Sequence, residues 1–181
     1  MVLNMVKPVF DAADADLSVI VTTHPGHAKE LAAGLKLDDY DGFLVLGGDG
    51  TFHEVVNGMF ERCDGITMPI GLFPGGSGNS LLHDLDLTDP MSAAEAIVSQ
   101  HTRFMDVARI EMNQNVMYSV NLIGWGLVTD VGRRAEMIRW LGTSRYTISS
   151  IVEILLRKTR RARLVVDGKT FVKDFIFVVA C

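Results

Sequence analysis

One carboxylate sits inside a glycine-rich turn, Gly47-Gly48-Asp49-Gly50-Thr51. Three glycines let the backbone bend tightly and approach a ligand without Cβ clashes. An aspartate in such a turn has two chemical uses. It can accept a proton from an attacking hydroxyl, or it can hold a metal ion beside phosphates. It also has a plain structural use, capping the helix that follows. A second glycine loop, Pro74-Gly75-Gly76-Ser77-Gly78-Asn79, lies downstream. Its backbone N–H groups suit phosphate oxygens, and Ser77 adds a hydroxyl. The chain has no G-x-x-x-x-G-K-[ST] motif, so charge neutralisation must come from somewhere other than a P-loop lysine.

Both loops need a strand to deliver them and a helix to receive them. The apolar run Phe43-Leu44-Val45-Leu46 reads as a buried strand. Thr51 to Phe60 reads as a helix with Val55, Val56, Met59 and Phe60 on its apolar side. Ile70-Gly71-Leu72-Phe73 reads as a second buried strand, followed by a short helix from Ser80 to Leu85. Two such units place both loops at the carboxyl edge of a parallel sheet, where open α/β sheets bind ligands. The helix starts add unpaired N–H groups and a positive dipole end.

Upstream, Met1 to Ala15 reads as the tail of a helix, Leu17 to Val21 as a strand and Thr22 to Gly26 as a turn. His27 to Leu35 reads as a helix with Ala28, Leu31, Ala32 and Leu35 inward. The order β-α-β-α-β predicts a parallel sheet with flanking helices. A helix from Met91 to Gln100 follows Asp89-Pro90, with proline near its first turn. The pattern then changes to consecutive strands: Thr102 to Met112, a turn at residues 113–115, and Val116 to Ile123. This places an α/β domain over residues 1–102 and the start of a mainly antiparallel β domain over 103–181. A helical insertion spans Val131 to Lys158. A final hairpin joins Ala162–Val166 to Thr170–Val179 through Asp167-Gly168, a strong turn signal.

The chain has 181 residues and is 48% hydrophobic, enough for a sizeable core. Its net charge of −5 argues against a nucleic-acid partner. Cys63 and Cys181 are too few for a disulfide framework or a zinc site, so the default setting is reducing and cytoplasmic. No apolar run reaches the length of a membrane span. His27 and His53 fall in predicted helices and are read as structural.

Gly-Gly-Asp-Gly-Thr followed by His53-Glu54-Val55-Val56-Asn57-Gly58, then Pro-Gly-Gly-Ser-Gly-Asn, resembles the catalytic domain of diacylglycerol and sphingosine kinases. The stretch Ser119 to Asp130, with Arg139-Trp140-Leu141-Gly142 and Arg145-Tyr146, is similar to the sphingosine and ceramide kinase branch. The likeness covers roughly Leu17 to Val179. The first loop alone also fits NAD kinases, which supplies the rival reading of a soluble-substrate kinase. The resemblance implies a fold like that of NAD and diacylglycerol kinases. It implies transfer of the γ-phosphoryl group of ATP, with Mg²⁺, to a lipid hydroxyl of a sphingoid base, ceramide or diacylglycerol.

The same resemblance implies roles for particular residues. Asp49 would be the base. Gly47, Gly48, Gly50, Thr51, Gly75, Gly76, Ser77, Gly78 and Asn79 would line the nucleotide phosphates. Thr22 and Glu54 match nucleotide-contacting positions, and Arg139 and Arg145 match phosphate-binding arginines. The metal ligand is left open; Asp49 is a candidate in competition with its role as base. Asp130 matches an acid near the lipid, but the second acid that sphingosine kinases place two residues later is Gly132 here, which puts free sphingosine in doubt. The family's first strand and Asn-Pro loop are expected ahead of the first helix and are not found, so the sequence reads as a fragment that is inactive in one rival reading. The basic run Arg157, Lys158, Arg160, Arg161 and Arg163 is a solvated surface or a contact for anionic lipid at a membrane. The apolar residues from Ile148 to Leu156 read as core or as the lining of an acyl pocket. Oligomeric state is not legible.

Overall fold

β1 (Phe43–Gly47) and β2 (Ile70–Pro74) run parallel, with Val45 opposite Leu72 and Gly47 opposite Pro74, in a computed structural model of the chain. The structure describes residues 2–76, 78–142, 144–156 and 158–181. Ser77, Arg157 and the side chain of Arg139, all assigned roles above, lie outside the described residues.

The strand pair is wrapped on both faces because successive strand residues point to opposite sides. Val45 packs with Ala28 and Ala32 of α2 (His27–Gly34) and with Val55 of α3 (Asp49–Glu61). Leu44 and Phe73 pack with Val6 and Phe10 of α1 (Val2–Ala12). That same cluster takes in Ala93 and Ala94 of α5 (Pro90–Val98). Phe10 meets Phe73 edge-on, with ring centroids 6.2 Å apart. Between β2 and α5 lies the short α4 (Ser80–Asp84). Asp89 caps α5, accepting from the Ser92 N–H at 2.8 Å and the Ser92 hydroxyl at 3.0 Å. Pro90 occupies the first position of that helix, where a missing N–H costs nothing.

One expected strand is not formed. Leu17 to Val21 joins no ladder, and Val19, Ile20 and Val21 are all at least half-exposed. A β-rich segment becomes a strand only when a neighbour takes its backbone hydrogen bonds. Here Leu17 to Thr22 and Phe43 to Leu46 instead line a common groove of about 460 Å³.

The hairpin of β3 (Ala108–Met112) and β4 (Asn115–Ser119) is antiparallel, with Met112 opposite Asn115 across a turn in which Asn113 has φ 56°. The chain divides into two compact units, Met1–Asn121 and Leu122–Cys181. The hairpin therefore belongs with the first unit, whereas the sequence reading starts the second domain at residue 103. The physical reason is Asn57 of α3, which is buried. Its amide donates to the Tyr118 carbonyl at 2.9 Å, and its carbonyl accepts from the Tyr118 N–H at 2.8 Å. Phe60 stacks on the Tyr118 ring at 3.9 Å.

In the second unit, β5 (Ile123–Gly126) pairs antiparallel with β8 (Phe177–Ala180). β6 (Arg160–Val166) and β7 (Lys169–Phe175) form the predicted hairpin. Asp167 and Gly168 both take positive φ, as a two-residue primed turn requires. The run from Thr170 to Val179 is thus two strands, broken at Ile176, with the second leaving to pair β5. Two helices, α6 (Leu127–Met137) and α7 (Ser144–Leu156), pack together around an ion pair. Arg134 donates to buried Glu153 through Nε at 2.8 Å and Nη2 at 2.5 Å. α7 buries Ser149 and Glu153 and leaves Ile151, Ile154, Leu155 and Leu156 about half-exposed or more. The core reading of those apolar residues is corrected: α7 turns its polar side inward.

The architecture is α/β, with a parallel strand pair and flanking helices followed by antiparallel strands. No helix among the described residues is long and apolar enough to cross a membrane.

Candidate active site

The two glycine loops lie against each other at the carboxyl ends of β1 and β2. The Gly75 N–H donates to the Gly47 carbonyl at 2.9 Å. A Cβ on Gly48 would lie 2.9 Å from the Gly76 Cα, so side chains there would force the loops apart. Asn79, with φ 53°, closes the second loop on itself. Its Oδ1 accepts from the Gly76 N–H at 3.0 Å and its Nδ2 donates to the Gly76 carbonyl at 2.9 Å.

Asp49 is the first residue of α3, and its carboxylate turns toward the start of α4. Oδ2 accepts from the Ser80 N–H at 3.1 Å and the Ser80 hydroxyl at 3.2 Å. Oδ1 accepts from the Leu81 N–H at 3.5 Å and from the Asn121 amide at 3.4 Å. The capping alternative is therefore partly realised, on α4 rather than on Asp49's own helix. Gly78 makes room for this, because a Cβ there would sit 2.9 Å from Asp49 Oδ2. Oδ2 is anchored by the two shorter bonds. Oδ1 carries the two longer, weaker ones and is the oxygen freer to take a proton.

Four more of the expected nucleotide residues lie on or beside these elements. Thr22 and Thr51 line the same groove, together with Leu46 at the end of β1. Glu54 Oε1 accepts from the Gly26 N–H at 3.0 Å, tying α3 to the turn that follows Thr22. Gly50 lies in the first turn of α3, with open space where a Cβ would be.

Two further expected residues, Arg145 and Asp130, belong to the second unit and have partners there. Arg145 donates to the Tyr146 hydroxyl at 3.1 Å and lies over that ring at 4.8 Å. Asp130 receives both of its close contacts from Arg160, at 2.7 Å and 3.0 Å. Its charge is thus already matched within its own unit. Arg160, one of the basic residues assigned to a membrane, is held by the same pair.

The glycine loops suit a nucleotide's phosphates: backbone reaches the surface without side chains, and the start of α3 stands behind it, while the start of α4 is occupied by Asp49. A protein cage for Mg²⁺ is less well matched. Asp49 is the loops' one carboxylate, and neutral donors occupy both of its oxygens. Among the described residues the sole cluster of three metal-capable side chains is His24, His27 and Glu30, at the start of α2. Two imidazoles do not suit a hard cation that prefers oxygen. The His27 Nδ1 lone pair is also taken by the Thr23 N–H at 3.1 Å.

Ser80 and Asn121 were not singled out from the sequence as partners of Asp49. Ser80 had a local signal, a small polar residue opening a helix after the second loop. Asn121 stood inside the Ser119 to Asp130 stretch that carries the family resemblance, but nothing local tied it to Asp49; that contact arises only through the fold.

A glycine-loop α/β fold of this kind defines a phosphate-binding enzyme class, and sequence comparison names it. Residues 1–110 match the sequence model of the diacylglycerol kinase catalytic domain, and the chain belongs to that family. It is 36% identical over 167 residues to sphingosine kinase 1 of Arabidopsis thaliana, covering 88% of this chain and 34% of that protein. It is 32% identical over 167 residues to human ceramide kinase, covering 83% of this chain and 31% of that protein. The chain thus spans about a third of the length of these relatives. A crystal structure of a diacylglycerol kinase from Bacillus anthracis str. Sterne superposes with a TM-score of 0.74 at 25% identity, covering 98% of this chain and 57% of that one.

Proposed function

We propose that this chain carries the phosphoryl-transfer site of an ATP-dependent lipid kinase acting on a lipid hydroxyl of the sphingoid base, ceramide or diacylglycerol type. The observation that carries the reading is Asp49: a carboxylate at the junction of two backbone-lined glycine loops, in a chain of this family. Bound Mg-ATP supplies the γ-phosphoryl group and part of the charge neutralisation. The backbone N–H groups at the start of α3 hold phosphate oxygens, those of Ser80 and Leu81 at the start of α4 being taken by Asp49. Asp49 Oδ1 would accept the proton of the lipid hydroxyl as that oxygen bonds to the γ-phosphorus and the bond from the phosphorus to the β,γ-bridging oxygen breaks, with ADP as the leaving group. Such base assistance is worth about 10²–10⁴ in rate, and alignment of the reactants supplies much of the rest.

The lipid side of the reading rests on the second unit. Gly132 lacks a carboxylate, and Arg160 already neutralises Asp130, which favours a lipid head group without a free amine. The exposed apolar residues of α7, with exposed Lys158, Arg161 and Arg163, suit peripheral contact with an anionic membrane surface from the cytoplasmic side.

The test is transfer of labelled phosphate from Mg-ATP to a panel of sphingosine, ceramide and diacylglycerol, with Asp49→Asn alongside. The expected result is labelling of at least one lipid and its loss in the variant, with nucleotide affinity changed by less than about tenfold. Full activity in Asp49→Asn would remove Asp49 as the base. No labelled lipid would overturn the kinase reading for this chain.

A further inference from the structure

We propose that Asn121 is a positioning residue that sets the orientation of the Asp49 carboxylate. For its catalytic consequence, this rests on the reading of Asp49 as the proton acceptor. Ser80 holds Oδ2 through two donors, which makes that oxygen a pivot. A carboxylate held at one oxygen can still swing the other. Oδ1 is fenced from two sides, by the Leu81 N–H of α4 and by the Asn121 amide, which follows β4. Leu81 belongs to the same short helix as Ser80, so it cannot report where the sheet side of the site lies. Asn121 comes from the other side of the unit.

Two contacts bring Asn121 to this place: Asn57 binds the Tyr118 backbone, and Tyr118 and Val120 pack on Phe52, Val56 and Leu81. The Asn57 side chain binds both the N–H and the carbonyl of Tyr118, as a strand neighbour would, and fixes the height of β4 on α3. Asp49 opens that same helix. One helix therefore carries the carboxylate at its start and, two turns on, the amide that locates the carboxylate's partner. The bond direction also suits the task. A carboxamide N–H is a donor only, so it holds the carboxylate oxygen in place without competing for its proton-accepting role as a second acid would.

Two readouts test this on the whole chain. In ¹⁵N-labelled protein, the Asn121 side-chain amide pair is identified by its disappearance in Asn121→Ala. In Asp49→Ala that pair should move and exchange faster with water, while the Asn57 pair stays in place. An Asn121 pair that does not respond to Asp49→Ala overturns the proposal whether or not the protein is active. In lipid-kinase assays, Asn121→Ala should lower kcat about tenfold with the KM for ATP unchanged. Asn121→Gln, which keeps the carboxamide, should recover most of the loss. A kcat equal to that of the unaltered chain, or a loss confined to KM, overturns the positioning role. If the unaltered chain phosphorylates no lipid, the kinase reading falls, and the amide spectrum alone decides whether Asn121 holds Asp49.

Discussion

At the scale of a single side chain, Asp49 has one role in the structure and another in the proposed reaction, and together they make its substitutions informative. As the proposed base it needs charge. As a cap on α4 it needs acceptor oxygens facing the Ser80 and Leu81 N–H groups. Asp49→Asn removes the charge and turns a donor toward one of those N–H groups if the amide faces them. Asp49→Ala removes the cap altogether. We expect Asp49→Ala to lower stability by about 1 kcal/mol, as loss of a helix cap does. Asp49→Asn should lose turnover with a smaller stability change. Denaturant melts of both variants beside the turnover assay separate the two jobs; equal stability of Asp49→Ala and the unaltered chain would remove the capping role. The carboxylate and both loops were legible in the sequence because their chemistry is local: glycines, an acid and a strand-to-helix turn. Asn121 was not, because its role depends on a bond made by Asn57 to a strand more than sixty residues away in sequence.

Elements behave the same way one level up. β1, β2 and α3 were readable from apolar runs and helical spacing, since each buries its own pattern. Leu17 to Val21 has the composition of a strand but no ladder partner, and composition alone does not report partners. The β3–β4 hairpin was recognised, yet assigned to the following domain, because the switch to consecutive strands looks like a boundary. It is held to the first unit by the buried Asn57 amide, by the Phe60–Tyr118 stack and by Val107, Tyr118 and Val120 packing on Phe52, Val56 and Leu81. Asn57→Ala should therefore detach more than a side chain. It leaves the Tyr118 N–H and carbonyl without partners, a cost of about 2–4 kcal/mol. Hydrogen exchange should rise across Ala108 to Ser119 more than across β1 and β2; uniform exchange would mean that the hairpin is held elsewhere. Capping of α5 was also foreseeable from Asp89-Pro90, and it brings a pH dependence. The Ser92 N–H and hydroxyl beside Asp89 hold its carboxyl below the ordinary carboxylate range. A depressed acid contributes stability above its unfolded value of about 3.9 and loses it as pH falls through the lower folded value. The melting-temperature difference between the unaltered chain and Asp89→Ala should thus be present at pH 7 and shrink under acid. A difference independent of pH would show that the ionised carboxylate is not what caps the helix.

At the scale of the whole molecule, the two units differ in the surface each one presents. In the first unit, the glycine loops are polar backbone. In the second, α7 presents Ile151, Ile154 and Leu155 outward while its polar residues close on α6. An isolated soluble helix would do the reverse. That inversion was invisible in the sequence, because spacing shows which residues share a face but not which face turns inward; the ion pair of half-buried Arg134 with buried Glu153 decides it. Exposed apolar area beside exposed Arg161 and Arg163 suits an anionic lipid surface, where each basic side chain contributes about 1 kcal/mol. Replacing both arginines by alanine should then weaken binding to phosphatidylserine-containing vesicles by about 30-fold at low salt, the product of two such terms. Binding to purely zwitterionic vesicles should hardly change, and added salt should narrow the gap between the two chains because it screens exposed charge. Arg160→Ala makes the matching control. Its charge is matched by Asp130, so its loss should weaken vesicle binding far less than loss of Arg161 or Arg163. Equal effects from all three arginines would mean that the basic run acts through net charge alone. Vesicle binding indifferent to anionic lipid and to salt would leave α7, not the arginines, as the lipid-facing element.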